Sequence, residues 1–273
     1  MYNYEVPISW FHLFLIVLAV FMLLTGLVTL GLSLRPRPFR AHPVPTRLEE
    51  HAPYLPGLPA PVRRHFEAAI GETPPLIHTA VVWGRGKALV RGVWTPLRFK
   101  GWYRPAESFV RRMEFTFFLR PVMRGIERFT GSEGGFELGE EAERGPELYH
   151  DQVLALWSEA VWMPSVFVHD PRIRWEAQDE HSARLIIPTR AGEETLQAFF
   201  DPLSGCLTHF TGLRTPAGET ETEPWRFDLF EWKRFHDLLI PTEITVAWGE
   251  AGSPWLYMTV DGVAYNVNVS DQL

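Results

Sequence analysis

Between Val6 and Leu34 the chain carries no Asp, Glu, Lys or Arg. The run from Trp10 to Leu34 is 25 residues long. As a helix it would measure about 37 Å, at a rise of about 1.5 Å per residue. A bilayer's hydrocarbon core is about 30 Å thick, so the run spans it with room for tilt. Trp10 and Phe11 suit one interface, and Arg35, Arg37 and Arg40 the other. The rival reading is a cleaved secretory signal, which needs a basic n-region, a shorter apolar core and a small-residue cleavage site. The first nine residues offer Glu5 and no Lys or Arg, and Gly31-Leu32-Ser33 makes a poor cleavage site. Residues 1–34 are therefore expected to be a retained signal-anchor, a single transmembrane helix whose partner is the lipid bilayer through residues 10–34.

The basic residues near this span all follow it: Arg35, Arg37, Arg40 and Arg47, against Glu5 before it. The positive-inside rule then places the C-terminal domain in the cytoplasm, with the opposite side as the alternative. Cys206 is the single cysteine and has no intramolecular partner, which suits a reducing compartment. All 26 basic residues and all but one of the 33 acidic ones lie beyond Leu34, leaving that part with a net charge of −6. A mildly acidic domain is a poor binder of nucleic acid, and none is expected as a partner.

Six prolines fall between residues 35 and 58. Proline lacks an amide donor and disfavours helix in the residue before it, so this stretch is expected to be an extended, semi-rigid stalk. Residues 59–273 suffice for one sizeable core. "LPAPVRRHFEAAIGE" reads as a helix near 59–70, with Val62, Phe66, Ala69 and Ile70 on one face. From Leu76 the apolar period becomes two. "LIHTAVVW", "KALVRGVW", "PLRFKGWY" and "SFVRRMEFTFFL" read as strands, the last with apolar residues on both faces. "GPELYHDQVLALWSEAVWMP" predicts a helix near 146–162 that covers the sheet. "RIRWEAQ", "TLQAFFD", "SGCLTHFTGLR", "EPWRFDLFEWKRF", "IPTEITVAW" and "PWLYMTVDGVAYNV" return to strand, with hairpins at "FFDPLSGCLTHF" and "FHDLLIP". The expected fold is mainly β (α+β): a large curved antiparallel sheet or half-open barrel with one or two covering helices, after a single N-terminal transmembrane helix.

Five segments in order, "LPAPVRRHFEAAIG", "LWSEAVWMPSVFV", "IRWEAQDEHSARL", "FFDPLSGCLTHF" and "PWRFDLFEWKRFHDLLIPTEITVAW", resemble a bacterial family catalogued only as a domain of unknown function. The resemblance covers about residues 55 to 269. It implies apolar segments ahead of a β domain similar to the half-open barrels of lipoprotein carriers, in which a sheet wraps helices around an apolar cavity. It brings no catalytic residues. Where the family turns on Gly, this chain has Asp237, which also tolerates positive φ.

Motifs for chemistry are sparse. Glu147 and His150 have the i, i+3 spacing of carboxylate-bridged metal helices, but a second copy of the motif is missing, and a polar first turn is the plainer reading. His169-Asp170 and His236-Asp237 are adjacent in sequence, which does not make a dyad. Cys206, placed in a strand after a hairpin glycine, reads as a quiet small residue. No nucleophile elbow, phosphate loop, zinc-protease motif or dinucleotide fingerprint occurs, so no catalytic residue, metal or cofactor is assigned.

Glu159 is different, because Trp157 and Trp162 flank it in the second helix and burial would force it to find a donor; Arg174 or Arg184 is the expected one. The chain also holds 11 Trp and 19 Phe, and every Trp but Trp10 follows the span. A thick core and a structural ion pair account for these features without a ligand. The functional reading is an apolar cavity for a lipid-like guest, with Glu159, Trp157, Trp162, Trp175, Arg174, Arg184, Trp225 and Trp248 as the candidate ligand-binding residues. The leading expectation is a membrane-anchored protein binding a lipid or other apolar small molecule beside the bilayer. The alternatives are a scaffold whose aromatic face docks a membrane-protein partner, and a hydrolase using His150 or His169.

Overall fold

Alternating apolar and polar residues from Ala80 onward produce thirteen strands that join in one antiparallel sheet. The computed structural model describes residues 10–145, 148–190, 192–215, 221–249 and 252–273. The strands are β1 (Ala80–Val90), β2 (Val93–Arg104), β3 (Ser108–Phe117), β4 (Arg120–Phe129), β5 (Gly134–Leu138), β6 (Glu141–Gly145), β7 (Arg174–Ala177), β8 (Ser182–Thr189), β9 (Gly192–Phe200), β10 (Leu207–Arg214), β11 (Glu223–Phe235), β12 (Leu238–Trp248) and β13 (Pro254–Tyr265). Their spatial order is β6-β5-β4-β3-β2-β1-β13-β12-β11-β10-β9-β8-β7. Two meanders thus share one seam, where the last strand pairs with the first from Ala80↔Tyr265 to Ala88↔Leu256. β6 and β7 are the free edges, and the sheet stays open.

Among the described residues four α-helices accompany the sheet: α1 (Trp10–Ser33), α2 (Ala60–Ile70), α3 (Tyr149–Glu159) and the single turn α4 (Val166–His169), with a 3₁₀ turn over Ala160–Trp162 after α3. α1 is long and apolar enough to cross a membrane by length and composition. Its side chains are almost all exposed, apart from Gly31 near its end. α3 and its 3₁₀ extension occupy the predicted second helix. Glu147 lies outside the described residues.

The helix-covered, inner face of the sheet holds the main core. Trp162 is fully buried, stacked on Phe99 with centroids 6.3 Å apart and edge-on to Tyr103. Its carbonyl accepts a hydrogen bond from Tyr265 Oη at 2.7 Å, tying the turn after α3 to the central seam. α2 buries Val62, Phe66, Ala69 and Ile70, as its apolar face requires. It also buries His65, whose Nδ1 accepts from the Leu207 amide at 3.2 Å and whose ring meets Phe66, Phe200 and Trp232.

The end of β3 meets α1, where Phe117 and Phe118 crowd Gly31, and the outer face of the sheet carries rings of β1, β2 and β13. Lys100 sits over Trp83 and Trp102, Lys87 over Trp94 and Tyr257, and Arg112 over Trp102. Cations rather than protein layers cover these rings. Arg98–Glu114 and Arg85–Asp261 pairs fill the space between them. A small cluster of Val81, Ala264, Val267 and Val269 is packed on this side with Trp83, Trp102 and Leu273.

The Pro-rich segment contains no helix or strand, and it lies along the sheet. Phe39 sits under Arg98, and Lys100 Nζ donates to the Arg40 carbonyl. The Thr46 hydroxyl accepts from the Tyr265 amide, Arg47 N donates to the Tyr265 carbonyl, and Leu55 N donates to Val168 O. The segment therefore runs from the end of α1 to α2 as a strap.

Several local features differ from expectation. β1 starts at Ala80 rather than Leu76, and Cys206 precedes β10 by one residue instead of lying within it. β4, β5 and β6 escape a period-two reading because β6 and the start of β4 are exposed on both faces, and β5 opens with two glycines. α4 is too short to show a period. The hairpin at Asp237 is intact: His236 and Asp237 both have positive φ, +50° and +68°, as a type I′ turn requires.

Burial pushes the His65 imidazole down to about 3. Its unfolded value is about 6.5, so the stabilisation is complete above that pH and is lost as pH falls towards 3. Urea midpoints should therefore drop below pH 6.5 at up to about 1.4 kcal/mol per pH unit from this residue. His65→Gln should flatten the dependence. Half-buried His209, lowered to about 4 mainly by burial, should leave part of it. An unchanged slope in the variant would refute the assignment.

Candidate ligand-binding site

A cavity of about 350 Å³ lies between α3 and the inner face of the sheet. The middle of its sheet wall is apolar, with Leu97, Phe115, Phe227, Val246, Leu256 and Met258, and Arg111, Glu127 and Arg214 are its charged strand residues nearest α3. The helical wall is polar. Asp151, Gln152, Ala155, Ser158 and Glu159 of α3 line it, a spacing of i, i+1, i+4, i+7, i+8 that places them on one helix face.

One end of this stripe is tied down. Glu159, 3% exposed, accepts a hydrogen bond from Tyr103 Oη at 2.9 Å and pairs with Arg111 Nη1. Arg111 Nη2 pairs with Glu127 on the neighbouring strand. These groups arrive by simple geometry: Arg111 is an inner-face residue of β3, and Glu127 stands directly opposite it on β4. Burial alone would depress the Arg111 guanidinium, but Glu127 and Glu159 outweigh that and hold it well above its ordinary value, charged. Burial raises the Glu159 carboxyl, an effect that Arg111 opposes. Burial, followed by the Glu159 charge, pushes the Tyr103 phenol up as well.

At the other end Arg214 stacks over Trp225 at 5.0 Å and lies 3.6 Å from Asp151. Burial pulls the Arg214 guanidinium down, opposed by Asp151. Trp248 and Trp255 stack with centroids 6.5 Å apart at the rim. Three buried donors of described lining residues have no partner in the protein, Arg111 Nε, Trp225 Nε1 and Trp255 Nε1, while Arg214 Nε has only the Asp151 carboxylate 3.6 Å away. The single unpartnered acceptor among them is Gln152 Oε1. Buried donors normally find acceptors, so this bias describes what the space is suited to hold.

Of the residues singled out in the sequence, Glu159, Trp225 and Trp248 line this cavity. Trp157 and Trp162 are buried in the core instead, and Trp175 donates its Nε1 hydrogen to Phe167 O. Arg174 and Arg184 are exposed on β7 and β8 and pair with Glu193 and Glu176. The partner of Glu159 is Arg111, a correction to the expected donor. Sequence proximity had favoured the later strands, whereas Arg111 sits 48 residues upstream. The available signal was an arginine on the otherwise apolar side of β3, with Phe109, Met113 and Phe115. His150 contacts Glu194 at 2.5 Å and the Leu213 carbonyl at 3.0 Å. Burial lowers His169, opposed by the carbonyls of Pro74 and Pro53.

Arg111→Leu should destabilise the domain by about 3–5 kcal/mol, since two carboxylates lose their cation in a dry environment. Adding Glu127→Gln and Glu159→Gln should recover most of that loss in urea unfolding. Independent, additive effects would contradict the cluster.

A family model described as a family of unknown function, DUF6544, matches residues 49–260. No curated protein matches the chain. Solved structures similar to it include a LolA superfamily protein of Nitrosomonas europaea, 8% identical with a TM-score of 0.46, covering 78% of this chain and 94% of that one. Another is a lipoprotein-sorting protein domain of Vibrio parahaemolyticus described as putative, 8% identical with a TM-score of 0.42, covering 71% and 88%. A third is a DUF1329 family protein of Desulfovibrio piger, 11% identical with a TM-score of 0.40, also covering 71% and 88%.

Proposed function

The chain belongs to DUF6544, a family of unknown function, and from its cavity we propose that it is a membrane-anchored protein that binds an amphiphile beside the bilayer. The carrying observation is a cavity, open at one end, with largely apolar strand walls and three buried, unpartnered donors. Its volume falls in the range of about 300–1,000 Å³ typical of small-ligand pockets. It suits one acyl chain or a compact apolar body rather than a whole two-chain lipid.

The donors favour a head rich in acceptor oxygens, such as an ester, amide or polyol. The buried charges argue against a strongly anionic head, because Arg111 and Arg214 already face Glu127, Glu159 and Asp151. A carboxylate or phosphate guest would add negative charge where the cations are already matched. α1 supplies the anchor in this reading, and the arginines after it put the domain on the cytoplasmic side.

Native mass spectrometry of the full chain, extracted from membranes in mild detergent, should show a bound species of defined mass. Ala155→Trp fills the cavity from α3 and should reduce that species by about tenfold or more, because the guest loses its apolar contacts. Protein that is repeatedly empty, or occupancy indifferent to Ala155→Trp, would overturn the proposal.

A further inference from the structure

The cavity mouth, the end of α1 and the most apolar exposed loop tips all lie at one end of the sheet. The β1–β2 turn at Arg91-Gly92, the β3–β4 turn at Phe118-Leu119 and the β5–β6 turn at Gly139-Glu140 point the same way, because each joins antiparallel neighbours at the same end. Around the first two, Leu89, Val93, Phe118, Leu119 and Val122 are exposed, Val122 by 62% and Leu119 by 52%. Among the described residues, the other loop tips are polar or carry a single apolar residue such as Leu203. A concentration of this kind marks a contact surface.

The contact of these tips with α1 argues for a lipid surface as the occupant. The Phe118 amide donates to the Gly31 carbonyl at 3.1 Å, so the β3–β4 tip is hydrogen-bonded to the last turns of α1. A side chain at Gly31 would collide with the Phe117 and Phe118 rings. The surface that would meet a bilayer at the end of α1 is therefore continuous with these tips. Arg91, Arg120 and Arg124 stand exposed among them, and Arg35 and Arg37 follow α1, a distribution suited to phosphate groups.

The cavity opens in the same place. Leu89, Val90 and Arg91 of the β1–β2 tip line it, as do Leu138 and Glu141 from the β5–β6 tip. Arg91 and Glu141 pair across the mouth, and both side chains are largely exposed. A pair this solvated is weak and would yield readily to an entering chain.

We propose that this rim rests in the bilayer surface and opens the cavity directly to the adjoining leaflet, so that the guest enters from the membrane without crossing water. The inference rests on the amphiphile-binding reading and adds the route. It commits to a lipid surface as the partner of the rim.

The test uses the full chain in nanodiscs of phosphatidylcholine with a minor share of phosphatidylglycerol. An environment-sensitive fluorophore is placed at Leu119→Cys or, at the opposite end of the sheet, at Glu133→Cys, both in a Cys206→Ser background. Spin-labelled lipid should quench the first and spare the second. Uptake is followed with a monoacylglycerol bearing a parinaroyl chain, an uncharged single-chain amphiphile, by energy transfer from the cavity tryptophans. Leu119→Glu with Val122→Glu should slow uptake from the bilayer by about tenfold, since two apolar contacts with lipid are lost. Equilibrium uptake from detergent micelles should remain unchanged, which also reports an intact fold. Equal quenching at the two positions, or an undiminished rate in the double variant, would overturn the route while leaving ligand binding in place. Failure of the unaltered protein to take up the probe even from micelles would remove the amphiphile reading and the route together.

Discussion

Arg111 is the pivot of the molecule. It takes one carboxylate from the next strand and one from α3, while Tyr103 supplies a second hydrogen bond to the helical one. Removing three ionisable groups from water costs several kcal/mol each, and their mutual attraction returns roughly that amount. The cluster therefore adds little to the net stability that an apolar replacement would not. Its effect is positional. A helix presenting Asp151, Gln152, Ser158 and Glu159 to an apolar sheet cannot slide or roll without stranding a charge. The same polar stripe keeps α3 from collapsing onto the strands, and the space left between them is the cavity.

The two faces of the sheet solve the same problem with different chemistry. Inside, large rings interlock: Trp162 with Phe99 and Tyr103, Phe167 with Phe66, Trp157 and Phe210. Outside, Trp83, Trp94 and Trp102 are roofed by Lys and Arg side chains whose stems cover apolar surface while their charges stay wet. The high tryptophan content is thus divided three ways, and only Trp225, Trp248 and Trp255 face the cavity.

What could be read in the sequence follows from how local each signal is. The span at the N-terminus, both predicted helices of the domain and the long strands were legible because their periods run over many residues. The short strands β5 and β6 were not, since five-residue strands, one opening on two glycines and the other exposed, impose no pattern. For the site, the burial of Glu159 could be inferred from the aromatic residues around it, but its partner could not. Arg111, Glu127 and Tyr103 are separated from it by 32 to 56 residues, and what joins them is strand register. Arg174 and Arg184 were plausible by type, yet they fall on the edge strand β7 and its neighbour β8, with side chains 55% and 42% exposed, where water competes for their charge. The unpartnered donors were invisible for a similar reason: a tryptophan shows its ring in the sequence, but not whether its N–H meets an acceptor.

The Pro-rich segment fixes how α1 is joined to the domain. Twenty-four residues, 35 to 58, could stretch to about 80 Å if free. Instead the segment is spent crossing the sheet, touching Arg98 and Lys100 near its start and Tyr265 and Val168 towards its end. Prolines cannot supply ladder donors, which keeps the segment from becoming another strand, and the non-proline amides between them form the attachments that are seen. With α1 held at Phe118 and the strap held first over Arg98 and Lys100 and then at Tyr265 and Val168, little slack remains for the domain to swing away. The strap thus trades reach for a fixed orientation, and a fixed orientation matters only if one particular end of the sheet has to stay beside the helix.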